Sequence, residues 1–390
     1  MLSTIRRSAV LLLLLTTLTI VRAQQLTVEA VVTDAETGQP LPFASIYGGT
    51  AGSTISNEEG GFRLTVEADT PLRFTYAGYK PLTVKASAVG RRVKLQPSLL
   101  VLREVVARGL PLKEIRKETL RQQRKFHKKR AEFFYRQTAF VDTTCHELTE
   151  AFLAGNSAVT LEDLRLLHGR YAGVKSDSLQ FIANYYTFSQ IELASSDEVP
   201  DYNHDLMPLF EKAPRFYNID HDLLRDSLGA IYVVRFTPKD DVKIPILDCT
   251  LYVDSASLHI LRCEGEGRNF RIQHVYPTDS GKVSEVLPID FCFTVNMTEE
   301  NGFVEVQSVY VNTRHVALGQ TLTTKSILYN VGEKKGSKGK KLKFKDNLRK
   351  RINNQKYDPE FWRRNETVRR TPTEEAVFRM FETRKLFGVF

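Results

Sequence analysis

His146-Glu147 is the first pair in the chain whose chemistry invites a metal. A zinc hydrolase helix needs a second histidine three residues after that glutamate, and Glu150 stands there instead. The sequence has no G-x-S-x-G, so it lacks the strained turn that presents a nucleophilic serine. Gly265-Glu266-Gly267 continues to Phe270 where a dinucleotide loop needs glycine, and it lies in a region of strands. The glycines and lysines of residues 332–341 lack the spacing of a phosphate loop. His259 and His274 read as hydrogen-bonded strand residues. Asp240-Asp241 and Glu299-Glu300 read as turn carboxylates, with calcium at Asp240-Asp241 as the alternative. Tyr185, Tyr186 and Tyr202 could stack on a sugar, but a single tryptophan argues against a platform of several. These residues predict a non-enzymatic protein with no cofactor and no metal ligands.

Charge is the next chemistry the sequence offers. The 390 residues carry a formal +9, and the three arginines of residues 1–23 leave +6 for the remainder. Residues 113–130 hold nine Lys/Arg against two acids, and residues 334–351 hold ten against one. The rest of the chain is therefore acidic, with two basic segments set into it. Lys128, Lys129, Arg130, Lys334, Lys335, Lys338, Lys340 and Lys341 are the candidate residues for a polyanion. An anionic membrane surface suits an exported chain, and nucleic acid does not.

Four cysteines, Cys145, Cys249, Cys263 and Cys292, occur without a C-x-x-C, which excludes a zinc ribbon and a redox motif. Residues 247–253 and 258–263 read as a hairpin about Ser255-Ala256-Ser257. A three-residue loop puts Leu251 opposite Leu261 and Cys249 opposite Cys263, within reach of a disulfide. The alternative is two buried thiols acting as small apolar groups.

These residues need elements to hold them. Residues 1–23 read as a signal peptide, with Arg6-Arg7 before an apolar run and a Val21-Arg22-Ala23 end. Residues 24–107 follow as short alternating strands cut by turns, a small Greek-key β-sandwich. Gly38 supplies a turn residue of positive φ. Phe62, Leu64 and Val66 alternate, as do Leu72, Phe74 and Tyr76. Val32, Asp34, Thr37-Gly38, Pro40-Leu41-Pro42, Ala44, Ile46, Ser56-Asn57, Gly61-Phe62, Phe74 and Gly78-Tyr79 carry a resemblance to the carboxypeptidase regulatory-like domain, a transthyretin-type sandwich. Leu102-Arg103-Glu104-Val105-Val106 is similar to the segment that ends such a domain in TonB-dependent outer-membrane receptors.

Residues 108–131 read as a basic linker helix, 132–332 as an antiparallel sheet domain with short helices, and 333–390 as a basic loop and helical tail. Within 374–386, Thr373 is the expected cap, with Phe378, Phe381 and Leu386 turned inward. Phe134-Tyr135-Arg136, Glu150-Ala151, the Asp358-Pro359-Glu360-Phe361-Trp362 segment and Arg370-Thr371-Pro372 resemble a family of bacterial envelope proteins, although Gln137 stands where that family usually has an acid. The fold class expected is mainly β: a sandwich, then an α+β domain with a large curved antiparallel sheet and a C-terminal helix. The strand order is similar to lipoprotein-carrier half-barrels, whose hollow face holds acyl chains. The signal peptide implies export, and with these resemblances it implies a periplasmic or outer-membrane-associated binding or scaffold protein, with an envelope protein partner or a lipid or other amphipathic ligand. The alternatives are a structural or adhesive component without ligand, and a hydrolase whose site assembles from scattered His, Asp and Ser.

Overall fold

A computed structural model describes residues 25–101, 109–126, 130–157, 161–174, 208–225, 229–278, 281–300, 302–333, 340–342, 348–365 and 367–387. The chain is mainly β, as the alternating pattern predicts. Its first part is two small facing sheets. One joins β1 (Gln25–Asp34), β4 (Gly61–Glu67) and β7 (Arg92–Leu95); the other joins β2 (Ser45–Tyr47), β3 (Ser53–Ile55), β5 (Pro71–Thr75) and β6 (Leu82–Lys85). Val32, Ile46, Phe62, Leu72, Phe74 and Leu95 fill the space between them. Asp34 accepts from the Glu36 and Thr37 backbone amides at 2.7 and 2.9 Å and from the Tyr79 hydroxyl at 2.6 Å, which locks the first turn.

The second part is one antiparallel sheet of twelve strands. It uses β8 (Leu99–Val101), β9 (Arg130–Val141), β10 (Thr144–Ser157), β11 (Leu161–Gly173), β12 (Tyr217–Arg225), β13 (Ala230–Pro238), β14 (Ile246–Asp254) and β15 (Ile260–Arg268). Further along come β18 (Asp290–Glu300), β19 (Phe303–Ala317), β20 (Gln320–Glu333) and the short β21 (Lys340–Lys341). A separate hairpin, β16 (Arg271–Thr278) with β17 (Gly281–Pro288), rises from it. Bulges in β10, β14–β15, β18–β19 and β9–β20 break the register. Each adds local twist, which lets so wide a sheet curve.

The sheet has two unlike faces. Phe133, Tyr135, Leu153, Val234, Leu251, Phe293 and Val309 point to an inner face, covered by α1 (Leu112–Phe126) and α2 (Ala213–Phe216). Phe134, Phe152, Ile327 and Tyr329 point outward, where the sandwich contributes Phe43 and Ile55. Phe43 stacks on Tyr310 at 4.7 Å, and Ser45 donates to Gln307 at 2.6 Å. The C-terminal tail starts as α3 (Leu348–Asn353), whose Leu348 and Ile352 join the inner core. It then turns to the outer face as α4 (Pro359–Arg364) and α5 (Pro372–Thr383). Trp362 is buried there.

Two expectations are corrected. The cap of α5 is Thr371, two residues before Thr373: its hydroxyl accepts from the Glu374 amide while Glu374 accepts from the Thr371 amide, a complete capping box. The β14–β15 register places Cys263 opposite Leu251 and Cys249 opposite Gly265. Asp254 takes the Ala256 and Ser257 amides, Leu258 adopts φ 61°, and a bulge follows Tyr252. The turn is therefore longer than three residues, and the predicted opposition of the two cysteines is lost. Both are buried free thiols.

Candidate functional site

α1 has few apolar residues, so it docks by a thin stripe and by polar anchors. Ile115 is fully buried and Leu112 and Leu120 pack on the inner core. The anchors gather on His259, at the start of β15. Its Nδ1 lies 2.8 Å from Glu299 Oε2, and its Nε2 lies 3.0 Å from Glu118 Oε1 and 2.9 Å from the Gln122 amide. The Arg121 guanidinium, against a smaller opposing effect of burial, holds the Glu118 carboxyl down at about 2, with Gln122 and His259 adding to the effect. Among the described residues no hydroxyl or thiol hydrogen-bonds the imidazole. Ser257 Oγ donates to Asp254 instead, at 2.8 Å. The cluster is a polar clamp on the helix and has no nucleophile paired with a base.

Beside this clamp runs a groove of about 1500 Å³ between α1, the chain at Leu209–Pro214 and the β14–β15 turn. Leu112, Leu120, Leu209, Phe210 and Leu258 give it apolar walls. Lys113, Arg116, Lys117 and Arg121 stand along the α1 side. Arg116 reaches Glu211 at 3.6 Å and Arg121 reaches Glu118 at 2.6 Å, while Lys113 and Lys117, one helical turn apart, make no ion pair among the described residues. An apolar trough with two available ammonium groups on one lip can take a chain and its anionic head.

The outer face holds a second constellation. Arg136, Glu150 and Arg170 are directly opposite one another across β9, β10 and β11. Glu150 accepts from Arg136 Nε at 2.7 Å and from Arg170 Nε at 2.6 Å. The tail completes the set: Arg370 lies 3.7 Å from Glu150 and 3.3 Å from Glu375, and Glu374 lies 3.6 Å from Arg136. Arg170 stacks on Trp362 at 4.3 Å, and Arg370 on Phe378 at 4.0 Å. Full burial would raise the Glu150 carboxyl, but Arg170, Arg370 and Arg136 overcome it and hold the group well below the usual carboxylate range. One cavity beside this junction, about 20 Å³, has room for no more than a water. Another, about 320 Å³, lies between the sandwich and the tail and is lined by Asn57, Arg369, Arg370 and Glu375. The constellation joins sheet, sandwich and tail.

Other residues singled out in the sequence fall as follows. Arg130 opens β9, and Lys340 and Lys341 form β21 at the sheet edge. Lys128, Lys129, Lys334, Lys335 and Lys338 lie outside the described residues, as do residues 1–23 and the tyrosines 185, 186 and 202. Asp240-Asp241 forms the turn between β13 and β14. His259 is hydrogen-bonded, as its sequence reading expects, but its partners Glu118, Gln122 and Glu299 and the place of Leu209 and Phe210 in a groove carry no motif. The only signal for the clamp was the pair of polar residues, Glu118 and Gln122, one turn apart beside the apolar stripe of α1.

Residues 28–107 match the family model of the CarboxypepD_reg-like domain. The match covers the sandwich and β8, and it leaves the other eleven strands of the large sheet and the tail unassigned. No curated protein matches the chain. Among solved structures, a DUF1329 family protein from Desulfovibrio piger aligns over 57% of this chain and 95% of its own, at 9% identity and a TM-score of 0.21. At that score the likeness transfers neither fold nor function. The regulatory-like domain is a non-catalytic module, and the described residues add no enzymatic family to it.

Proposed function

We propose that this chain is a non-enzymatic exported envelope protein, periplasmic or outer-membrane-associated, that binds an anionic amphipathic ligand such as a lipid. The observation that carries the reading is the groove of about 1500 Å³ between α1 and the β14–β15 turn, apolar in its walls and lipped by Lys113 and Lys117. Its volume exceeds that of ordinary small-molecule pockets, roughly 300–1,000 Å³, and suits an extended chain. The sandwich is the fixed part, held to the outer face away from the groove. The two basic segments, which include Arg130, Lys340 and Lys341, are proposed to draw the protein to an anionic envelope surface.

Native mass spectrometry of protein purified from its own envelope tests the ligand. A bound lipid is expected, and Leu120→Glu or the double change Lys113→Glu/Lys117→Glu should lose it while the fold persists. Protein that carries no lipid and does not take up palmitate would overturn the reading.

A further inference from the structure

A second cleft, of about 720 Å³, opens at the far end of β15. Nine residues of strand, roughly 30 Å, separate it from the turn that borders the lipid groove. Its floor is aromatic. Phe270 meets Phe291 edge to face at 4.8 Å. A Cβ at Gly267 would lie 2.1 Å from the Phe291 ring, so glycine is what lets that ring rest against β15. Gly265-Glu266-Gly267, which cannot serve a dinucleotide, thus serves close packing: at Gly265 a Cβ would lie 2.1 Å from the Asp248 carbonyl oxygen of β14.

Around the floor stand Lys243, Arg268, Arg271 and Arg314 with Glu266 and Asp290, a net charge of +2. Arg268 is spent on Asp248, and Lys243 donates to the Asp240 carbonyl at 3.1 Å. Arg271, from β16, and Arg314, from β19, make no ion pair or side-chain hydrogen bond among the described residues. The cleft therefore offers two uncommitted guanidinium forks for an anion, an acceptor in Asp290 for a hydroxyl group, and an aromatic wall in Phe270.

We infer that this cleft binds an acidic sugar, a hydroxylated ring bearing one carboxylate or phosphate. The guanidiniums take the anion, Asp290 accepts from a ring hydroxyl, and Phe270 packs against the apolar face of the ring. A lipid head cannot fill both places at once from the groove, so this site is independent of the one proposed above.

Titration calorimetry on the full chain with glucuronate, glucose 1-phosphate, glucose and inorganic phosphate tests it. Saturable binding of glucuronate or glucose 1-phosphate is expected, and which of the two is tighter tells a carboxylate source from a phosphate source. Glucose and inorganic phosphate should each be about tenfold weaker or more, since each lacks one half of the recognition. Arg271→Gln/Arg314→Gln should weaken the acidic sugar by about tenfold or more, because each fork loses its charge-assisted bonds. Arg235→Gln, an exposed arginine on β13 outside the cleft, should leave binding unchanged. Both guanidiniums are at the surface, and an unaltered melting curve would confirm that the double variant folds. The inference is overturned if neither acidic sugar binds, if the Arg271/Arg314 variant binds as well as wild type, or if inorganic phosphate binds as tightly as the sugar phosphate.

Discussion

Glu150 is the residue on which the outer face turns. It is fully buried, and three guanidiniums approach its two oxygens. Burying charges is repaid only if all partners stay, so removing one leaves the rest uncompensated. Glu150→Gln should cost about 3–5 kcal/mol in urea unfolding. Its folded carboxyl is lowered, so its contribution is present above the ordinary unfolded value, near 4.3, and is lost as pH falls through the folded one. Wild type should therefore lose stability below about pH 4 more steeply than Glu150→Gln; equal slopes would show that the carboxylate is not so held. At the same scale, burial and then the neighbouring Cys249 thiol hold the Cys263 thiol protonated. Alkylation under native conditions should spare both and modify the exposed Cys292, and a Cys249–Cys263 disulfide in a peptide map would contradict the structure.

Among the elements, α5 is the tail's anchor, and its capping box fixes where Arg370 enters the junction. Thr371→Ala should lower stability by about 1 kcal/mol, read as a shifted urea midpoint with an unchanged slope. How far these elements could be read in advance depended on their periodicity. FFYRQTAFV does not alternate, because β9 is buried on both faces, but its aromatic residues and Val141 mark it as a strand. β11 is not legible as a strand, because LEDLRLLHGRYAG spaces its leucines as a helix would, and only its pairing with β10 makes it one. β20 is hard to read because its threonines, Lys325 and Ser326 conceal the apolar Leu322, Ile327 and Leu328. The cysteine register failed on Leu258, whose positive φ lengthens a turn in a way no residue type there announces. The motif residues Arg136, Glu150 and Arg370 were visible singly, but their meeting depends on a chain return of more than two hundred residues.

For the whole molecule, the structure divides labour between two faces. The outer face is closed by sandwich and tail: Thr54 donates to the Thr367 carbonyl at 2.8 Å, Asn57 to the Arg369 carbonyl at 3.4 Å, and Lys325 pairs with Glu58 at 2.7 Å. The inner face keeps an open trough beside α1. If the basic segments face an anionic surface, liposomes rich in anionic lipid should float the protein at low salt and release it at high salt, since such attraction is screened beyond a Debye length; salt-independent flotation, or none, would remove that part of the reading. The most direct test of the central claim is photo-crosslinking with a diazirine fatty acid, followed by peptide mapping. The account predicts adducts on the α1 peptide, residues 112–126, and on the peptide holding Leu209 and Phe210, reduced by excess palmitate. Adducts confined to the sandwich or the tail, or none that palmitate displaces, would contradict it.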